Sequence, residues 1–180
     1  TWKSRGLGDV YKRQVQELKN LIPNDYFRQR DMLIESLHLI QDNFKCLKPK
    51  HLTALSELTN LPLTEVYEVA SFYAHFDIHK EDDVDPPKTT IRVCDSITCE
   101  INGCKSLEKS LKENLPSDIR VVRAPCMGRC HQAPVVEVGK KHFGKASLDT
   151  VKNALEKNDI KPVIPNYISF DKYLSEGGYK

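Results

Sequence analysis

Apolar residues in the first half of the chain recur at the spacing of helices. Over residues 25–44 they return every three or four positions, which predicts a helix that begins after an N-cap at Asn24. Pro49 suits the first position of a second helix, whose leucines return at the same spacing. Thr64 then predicts the N-cap of a third helix that ends near Phe76. Each helix has one apolar face, so each needs a neighbour to cover it.

These three short helices define the first domain. Brief connections between amphipathic helices predict a three-helix bundle over residues 21–80. Residues 1–14 show no apolar period, and Gly6 to Gln14 looks like translated adapter sequence, so we expect a non-native or disordered leader over residues 1–20. Residues 81–88 are charged, contain two prolines and lack an apolar period, which indicates a linker between two domains.

Strand and helix patterns alternate after the linker. A β-branched run from Thr89 to Val93 predicts a strand, and a leucine repeat predicts a helix over 103–115. The elements predicted after that helix are strands at 119–122, 134–138 and 140–143, the last two as a hairpin about Gly139, and a helix capped by Ser147. Residues 89–158 are therefore expected to form a thioredoxin-like α/β domain in which a helix crosses between parallel strands, within an α+β chain overall. Residues 159–180 are expected to be a linker and the start of a truncated following domain.

The composition limits which functions the protein can have and in which cellular compartment we expect it. Lys plus Arg number 27 against 25 Asp plus Glu, so no basic surface for nucleic acid is indicated. No apolar run is long enough to cross a bilayer, and no secretory signal is recognisable. Six cysteines in a chain of 180 residues without such a signal indicate thiols that are kept reduced rather than a disulfide scaffold. We expect a soluble, cytoplasmic protein, either free or peripheral on the inner face of a membrane complex.

Four of the six cysteines form two close pairs that could bind a metal. Cys94 and Cys99 are separated by four residues, Cys126 and Cys130 by three, and 26 residues lie between the pairs. Each pair follows an extended run, so the fold could bring four thiolates to one point, the ligand set of an iron–sulfur cluster or of zinc. Structural zinc sites usually use cysteines separated by two residues, so the looser spacing here favours an iron–sulfur cluster.

The loop of the second pair has features that suit an anionic centre. Gly128 allows a positive φ, so that backbone N–H groups can point at sulfur. Positive or titratable charge comes from Arg123, Arg129 and His131, and two prolines stiffen the loop. The sequence therefore predicts that this loop compensates the negative charge of a metal–thiolate centre.

Two other interpretations of the cysteines stay open. A zinc-stapled structural or interaction module would have no redox role and would unfold in chelators. A thiol–disulfide regulator could use Cys99 and Cys104, although the chain contains no C-x-x-C motif. We assign Cys104 to the crossover helix as a packing residue, and we interpret Cys46 as a small buried hydrophobe between the helices.

Together these motifs resemble a known family. Cys94-x4-Cys99, Cys126-Met-Gly-Arg-Cys130-His-Gln-Ala-Pro-Val135 and a helical segment ending in Tyr67-x4-Ser71-Phe-Tyr-Ala-His-Phe76 are similar to the thioredoxin-like 2Fe–2S subunit of NADH dehydrogenases, which belongs to respiratory complex I. Relatives of that subunit occur in NAD-linked formate dehydrogenases and in bidirectional or bifurcating hydrogenases. The residues around the cysteines look nearer the formate dehydrogenase branch. The similarity extends over about residues 21–157.

The resemblance implies a cofactor, a partner and a function. Cys94, Cys99, Cys126 and Cys130 would be the ligands of a 2Fe–2S cluster, and a partner flavoprotein would hold FMN and the NADH site. The chain would then be the electron-transfer module of an NAD(H)-dependent oxidoreductase complex, exchanging single electrons between its cluster and that FMN. No G-x-G-x-x-G motif follows a strand, so we expect neither a dinucleotide site nor a catalytic residue on this chain. The tail from Tyr167 resembles the opening of that flavoprotein when the two are fused in one polypeptide.

Overall fold

The computed structural model describes residues 2–180, with side chains described from residue 12 onward. Within this part of the chain, the first half contains four α-helices: α1 (Trp2–Leu21), α2 (Leu33–Phe44), α3 (Pro49–Thr59) and α4 (Leu63–Phe72). Their apolar faces meet in one core, in which α1 packs against α3 and α2 packs against α4. The centre of this helical core is formed by fully buried Leu18, Leu37, Ile40, Leu47, Leu55 and Val66.

Helix α2 begins later than the sequence pattern predicts. Asn24 is not its N-cap, because Gln29 adopts extended backbone, with φ −120° and ψ 109°, and interrupts the segment. The residues before α2 instead form two short 3-10 turns, Tyr26–Arg28 and Arg30–Met32. Phe27 in the first turn still packs against the helical core, so the apolar pattern continues through a segment that is not α-helical.

Helix α3 agrees with its prediction, and α4 agrees in part. Pro49 is the first residue of α3, and Asn60 ends the helix in the left-handed conformation. The predicted N-cap of α4, Thr64, is wrong, because the helix already starts after Pro62. Helix α4 also stops short of its predicted end, since Tyr73 adopts extended backbone with φ −91° and ψ 119°.

Helix α1 lies where we expected a leader. Its last turn buries Leu18, and Ile22 is buried just beyond it, both in the helical core. The ordered region therefore begins before residue 21 and contains a fourth helix, so the predicted boundary and the number of three helices are wrong. Leu18 and Ile22 belong to a run of apolar side chains that is too short to show a helical period in the sequence. The side chains of residues 6–11 lie outside the described part of the chain, and the adapter interpretation of Gly6 to Gln14 stays a prediction.

The second half of the described chain is built around one sheet. Its elements are β1 (Thr89–Cys94), α5 (Ile97–Ile101), α6 (Cys104–Asn114), β2 (Ile119–Ala124), β3 (Val136–Val138), β4 (Lys141–Phe143), α7 (Leu148–Glu156) and α8 (Phe170–Ser175). The strand order is β2-β1-β3-β4. Strand β1 pairs parallel with β2, as predicted for strands joined by a crossover helix, and antiparallel with β3. The predicted hairpin of β3 and β4 is confirmed, as is the N-cap Ser147, whose hydroxyl accepts a hydrogen bond from the Thr150 N–H.

Strand β1 runs through the middle of the sheet, and helices α6 and α7 contribute side chains to the core around it. The fully buried members of this sheet core are Ile91, Val93, Leu111, Val135, Val136, Val138 and Val151. Helix α5 was not predicted, because five residues are too few to show a helical period. The mixed four-stranded sheet with its parallel β1-α-β2 unit agrees with the predicted thioredoxin-like domain.

Ion pairs connect the helical core to the sheet. Lys140, in the turn between β3 and β4, pairs with Asp42 of α2. Arg120 of β2 pairs with Asp77, which lies between α4 and the sheet. Residues 81–88, the predicted linker, contain no helix or strand. These ion pairs hold the helical half beside the sheet, and a cleft lies between the two.

The chain after the sheet is exposed. Ile160 still packs against the sheet core, whereas residues 161–176, which include all of α8, are exposed. None of the helices among the described residues has the length and apolar character needed to span a membrane.

Candidate functional site

The four cysteines of the two predicted pairs lie at one edge of the sheet. Cys94 is the last residue of β1, and it is paired across the sheet with Ala124, the last residue of β2. Because neighbouring parallel strands end at the same edge, the loop after β2 brings Cys126 next to the end of β1. Cys99 follows closely in α5, and Cys130 lies in the same loop as Cys126. The topology therefore joins two pairs that are 26 residues apart in sequence.

The thiols of these cysteines lie near one another, and those of the second pair are in contact. The Sγ atoms of Cys126 and Cys130 are 3.5 Å apart. The Cys94 side chain is within hydrogen-bonding distance of both Cys99 and Cys126, so it connects the two pairs. Two sulfurs that bind one tetrahedral metal at about 2.3 Å stand about 3.8 Å apart. The separation of Cys126 and Cys130 is therefore close to that of two ligands on one metal.

The thiols at this edge are those of Cys94, Cys99, Cys126 and Cys130. Over residues 12–180, no group of three or more His, Cys, Asp or Glu side chains is placed so that it could hold one metal ion. A 2Fe–2S cluster takes four cysteines, two at each iron. The four thiols at this edge supply that number of ligands.

The two pairs differ in burial, and the pKa values of Cys99 and Cys126 are shifted in opposite directions. Cys94 and Cys99 are 2% and 1% exposed, whereas Cys126 and Cys130 are exposed. Burial, and then the contact with Cys94, raises the pKa of the Cys99 thiol to about 11. The pKa of Cys126 is lowered, chiefly because the backbone N–H of Gly128 donates a hydrogen bond to its sulfur. Gly128 has a φ of 74°, as the sequence predicts for a loop that aims an N–H at sulfur.

Three further polar groups, which the sequence did not suggest, lie close enough to the cysteines to affect their pKa values. The backbone N–H of Val135 acts to lower the pKa of Cys99, against the larger effect of burial. The hydroxyl of Ser96 helps to lower the pKa of Cys126, and that of Thr98 opposes the neighbouring Cys126, which raises the pKa of Cys130. Hydrogen bonds of this kind stabilise thiolates and the negative charge of a metal–thiolate cluster. No spacing rule would have found these donors, because only the folded loops bring them to the sulfurs.

The basic residues near the second pair are partly engaged elsewhere. The Nε of Arg123 donates to Glu108 at 2.8 Å, and Lys112 binds the same carboxylate at 2.7 Å. Arg129 donates to the Nδ1 of His142 at 3.3 Å. Glu108 therefore neutralises much of the charge of Arg123.

The remaining cysteines behave as packing residues. Cys104 is the first residue of α6 and is buried in the sheet core. Burial is the largest cause that raises its pKa, as it is for Cys99. A redox exchange between Cys99 and Cys104 would need a thiolate, which both raised pKa values disfavour. Cys46 is buried in the helical half, as predicted for a small hydrophobe.

Two exposed isoleucines stand beside this site. Ile97 and Ile101 are 77% and 80% exposed and lie one turn apart on α5, the helix that carries Cys99. Side chains of this size are rarely left in water as neighbours. They form an apolar rim, which we define as Ile97 and Ile101, next to the cysteine edge of the sheet.

Comparison with known proteins identifies relatives over most of the chain. The family model described as thioredoxin-like [2Fe-2S] ferredoxin matches residues 18–159. A subunit of the NADH-quinone oxidoreductase of Aquifex aeolicus is 33% identical over 141 residues, which are 73% of this chain and 82% of that protein. A subunit of the NADP-reducing hydrogenase of Solidesulfovibrio fructosivorans is 29% identical over 155 residues, covering 81% of this chain and 85% of that protein.

A solved structure has the same fold over a similar range. The air-oxidized NAD+-reducing [NiFe]-hydrogenase matches 81% of this chain with a TM-score of 0.54 and 21% sequence identity. The match covers 24% of that longer chain. At this level of identity, the likeness concerns the fold alone.

Proposed function

Since the chain belongs to the thioredoxin-like [2Fe-2S] ferredoxin family, we propose that it is the electron-transfer module of an NAD(H)-dependent oxidoreductase complex. The membership confirms the resemblance seen in the cysteine motifs, and with it the expected 2Fe–2S cofactor. The observation that carries the proposal is the meeting of two cysteine pairs at one sheet edge, with one pair buried and the other exposed.

The ligands in this proposal are Cys94, Cys99, Cys126 and Cys130. Their mutual contacts, and the 3.5 Å between the sulfurs of the second pair, support this assignment. When bound, a 2Fe–2S cluster supplies one-electron transfer, in steps that change its net charge.

The chain's own residues hold and tune that site. The N–H groups of Gly128 and Val135 and the hydroxyls of Ser96 and Thr98 each act to lower the pKa of a neighbouring cysteine, and donors of this kind stabilise sulfur that carries negative charge. Cys94 and Cys99 lie in the sheet core, which excludes water from one side of the site. The exposed pair leaves the other side open to a partner.

The partner in this proposal is a flavoprotein that holds FMN and the NADH site, within a larger oxidoreductase complex. The relatives are named as subunits of an NADH-quinone oxidoreductase and of an NADP-reducing hydrogenase, which supports assembly with other chains. Electron exchange requires a short distance between redox groups, so the partner's flavin has to approach the face that exposes Cys126 and Cys130. The apolar rim next to that face offers surface for such a contact.

Metal analysis tests the cofactor and its ligands. Anaerobically purified protein should contain iron and acid-labile sulfide in equal amounts, absorb visible light and give a low-temperature EPR signal after reduction. Serine at any one of the four ligand positions should lower the cluster content severely, whereas the matched controls Cys46→Ser and Cys104→Ser should retain it. Colourless wild-type protein with one zinc per chain would favour the zinc-stapled module instead. Loss of the cluster in Cys104→Ser would contradict the ligand set.

Reduction by NADH tests the partner. With a flavoprotein subunit from a related NADH dehydrogenase present, NADH should reduce the cluster, and without it NADH should not. Ile97→Glu with Ile101→Glu should slow this reduction while the EPR signal of dithionite-reduced protein stays the same. Val84→Glu is the control, because Val84 is exposed and lies in the linker. Reduction of the cluster by NADH in the absence of the flavoprotein would contradict the proposal that the flavoprotein holds the NADH site.

A further inference from the structure

The cleft between the helical half and the sheet has the size of a ligand site. Its volume is about 570 Å³, which lies within the usual range for small-molecule pockets. One wall comes from α2 and the segment after α4, and the other from β1, the β3–β4 turn and the chain after α7. None of the cysteines lines it, so the cleft is separate from the candidate metal centre.

The lining of the cleft carries an excess of positive charge. Its basic side chains are Lys45, Lys88, Arg92, Lys140 and Lys161. Its two carboxylates already have partners, since Asp42 pairs with Lys140 and Asp77 pairs with Arg120. In the part of the chain that the structure describes, Lys88 and Lys161 have no acidic partner. An anion entering the cleft would therefore meet cations whose charge is not neutralised.

Arg92 provides hydrogen-bond donors in the lining of the cleft. Its side chain is 12% exposed, and its nearest carboxylate, Glu137, is 3.6 Å away. Its hydrogen bond to the carbonyl oxygen of His75 is also long, at 3.4 Å. A guanidinium carries five N–H donors, so these contacts leave several available. Partly desolvated guanidinium groups are well suited to bind phosphate oxygens in pairs.

The cleft also has an apolar wall. Ile160, Pro87 and Pro162 lie beside the basic groups, and the two prolines limit how far the wall can move. A ligand with a charged end and a flat, less polar body would satisfy both surfaces. Inorganic phosphate alone would leave most of the volume unfilled.

We propose that this cleft binds a phosphate-bearing small molecule of nucleotide size. Such a site needs no glycine-rich loop, because side-chain cations rather than a helix N-terminus would hold the phosphate. The ligand would contact Lys45, which directly follows α2, and Arg92 on β1, so it would bridge the two halves of the protein. Binding at this place is independent of the cluster and of its partner.

The test uses the full, cluster-loaded chain and ADP as the probe. Calorimetry should detect ADP binding, and ADP should raise the thermal midpoint above that in sodium chloride of equal ionic strength, because a ligand of the folded state stabilises it. Lys88→Gln with Lys161→Gln should weaken ADP binding about tenfold or more. Lys109→Gln with Lys152→Gln removes the same charge outside the cleft and should leave the affinity unchanged.

Three outcomes would overturn the inference. The first is ADP that binds no better than chloride. The second is equal weakening by both double variants, which would indicate a general charge effect. The third is adenosine binding as tightly as ADP, which would show that phosphate is not recognised. Because the visible and EPR spectra report the cluster separately, failure here leaves the proposed electron-transfer function untouched.

Discussion

Gly139 turns the chain between β3 and β4 at a φ of 64°, and it does so against Ile160. A Cβ added at Gly139 would stand 2.8 Å from the Cβ of Ile160 and 2.9 Å from its carbonyl oxygen. The oxygen belongs to the backbone, so a change of rotamer cannot relieve the overlap. The substitution Gly139→Ala therefore combines a left-handed backbone with a steric clash.

The expected loss can be estimated from these two costs. A residue other than glycine in the left-handed region costs about 1–2 kcal/mol, and overpacking costs about 1–3 kcal/mol. Together they predict that Gly139→Ala lowers the free energy of unfolding by about 2–5 kcal/mol. Gly128 is a matched control, because its φ is 74° and nothing lies within 4 Å of an added Cβ. Gly128→Ala should therefore cost only about 1–2 kcal/mol.

Urea unfolding followed by far-ultraviolet circular dichroism measures both variants. The N–H of Gly139 donates to the carbonyl oxygen of Thr90, which lies at the end of β1 opposite to Cys94. Because the substitution is therefore distant from the cysteines, the visible spectrum of Gly139→Ala should match that of the wild type. Equal losses in the two variants would refute the role of Ile160. A Gly139→Ala protein as stable as the wild type would refute the backbone argument as well.

Three other substitutions or conditions give clear expectations. Leu55→Ala should lower the free energy of unfolding by about 2–5 kcal/mol, since Leu55 is fully buried in the helical core. Urea unfolding that shows almost no loss of stability would contradict that burial. Stability should fall as pH is lowered from about 6.5 toward about 4, because burial lowers the pKa of His51 and His75 to about 4, so only the unfolded chain gains protons there. Above that window both states are neutral at these histidines; a urea midpoint that stays constant through it would speak against the lowered pKa values. Arg13→Ala should change the free energy of unfolding by less than about 0.5 kcal/mol, because the ion pair of Arg13 with Glu17 is exposed. A thermal midpoint that shifts by more than this would show that this ion pair of α1 contributes more to stability than its exposure indicates.

Local patterns were sufficient for the elements that hold the cysteines. The β-branched run before Cys94, the leucine repeat of α6 and the cap at Ser147 each depend on residues close in sequence. Once β1 and β2 are parallel, their ends meet at one edge, so the approach of Cys126 to Cys94 follows from topology alone. This part of the site could therefore be predicted without coordinates.

Features that depend on distant contacts could not be predicted. Helix α5 has five residues and no measurable period. Val135 and Thr98 lie close to the cysteines only because the two loops fold over each other. The start of α2 was misplaced because Gln29 breaks the backbone without interrupting the apolar pattern. The groups near the sulfurs are brought there by contacts between residues distant in sequence, whereas α5 and the break at Gln29 are too short to change the apolar pattern.

The position of Cys94 on the central strand has a consequence for the lifetime of the site. Strand β1 is hydrogen-bonded on both sides, whereas Cys126 and Cys130 lie on an exposed loop. Amide hydrogens around the inner pair should therefore exchange with solvent deuterium far more slowly than those around the outer pair. Oxidation of the cluster by oxygen should begin at the loop and leave Cys94 and Cys99 in place. A protein that has lost its cluster therefore keeps two ordered ligands around which the cluster can be rebuilt.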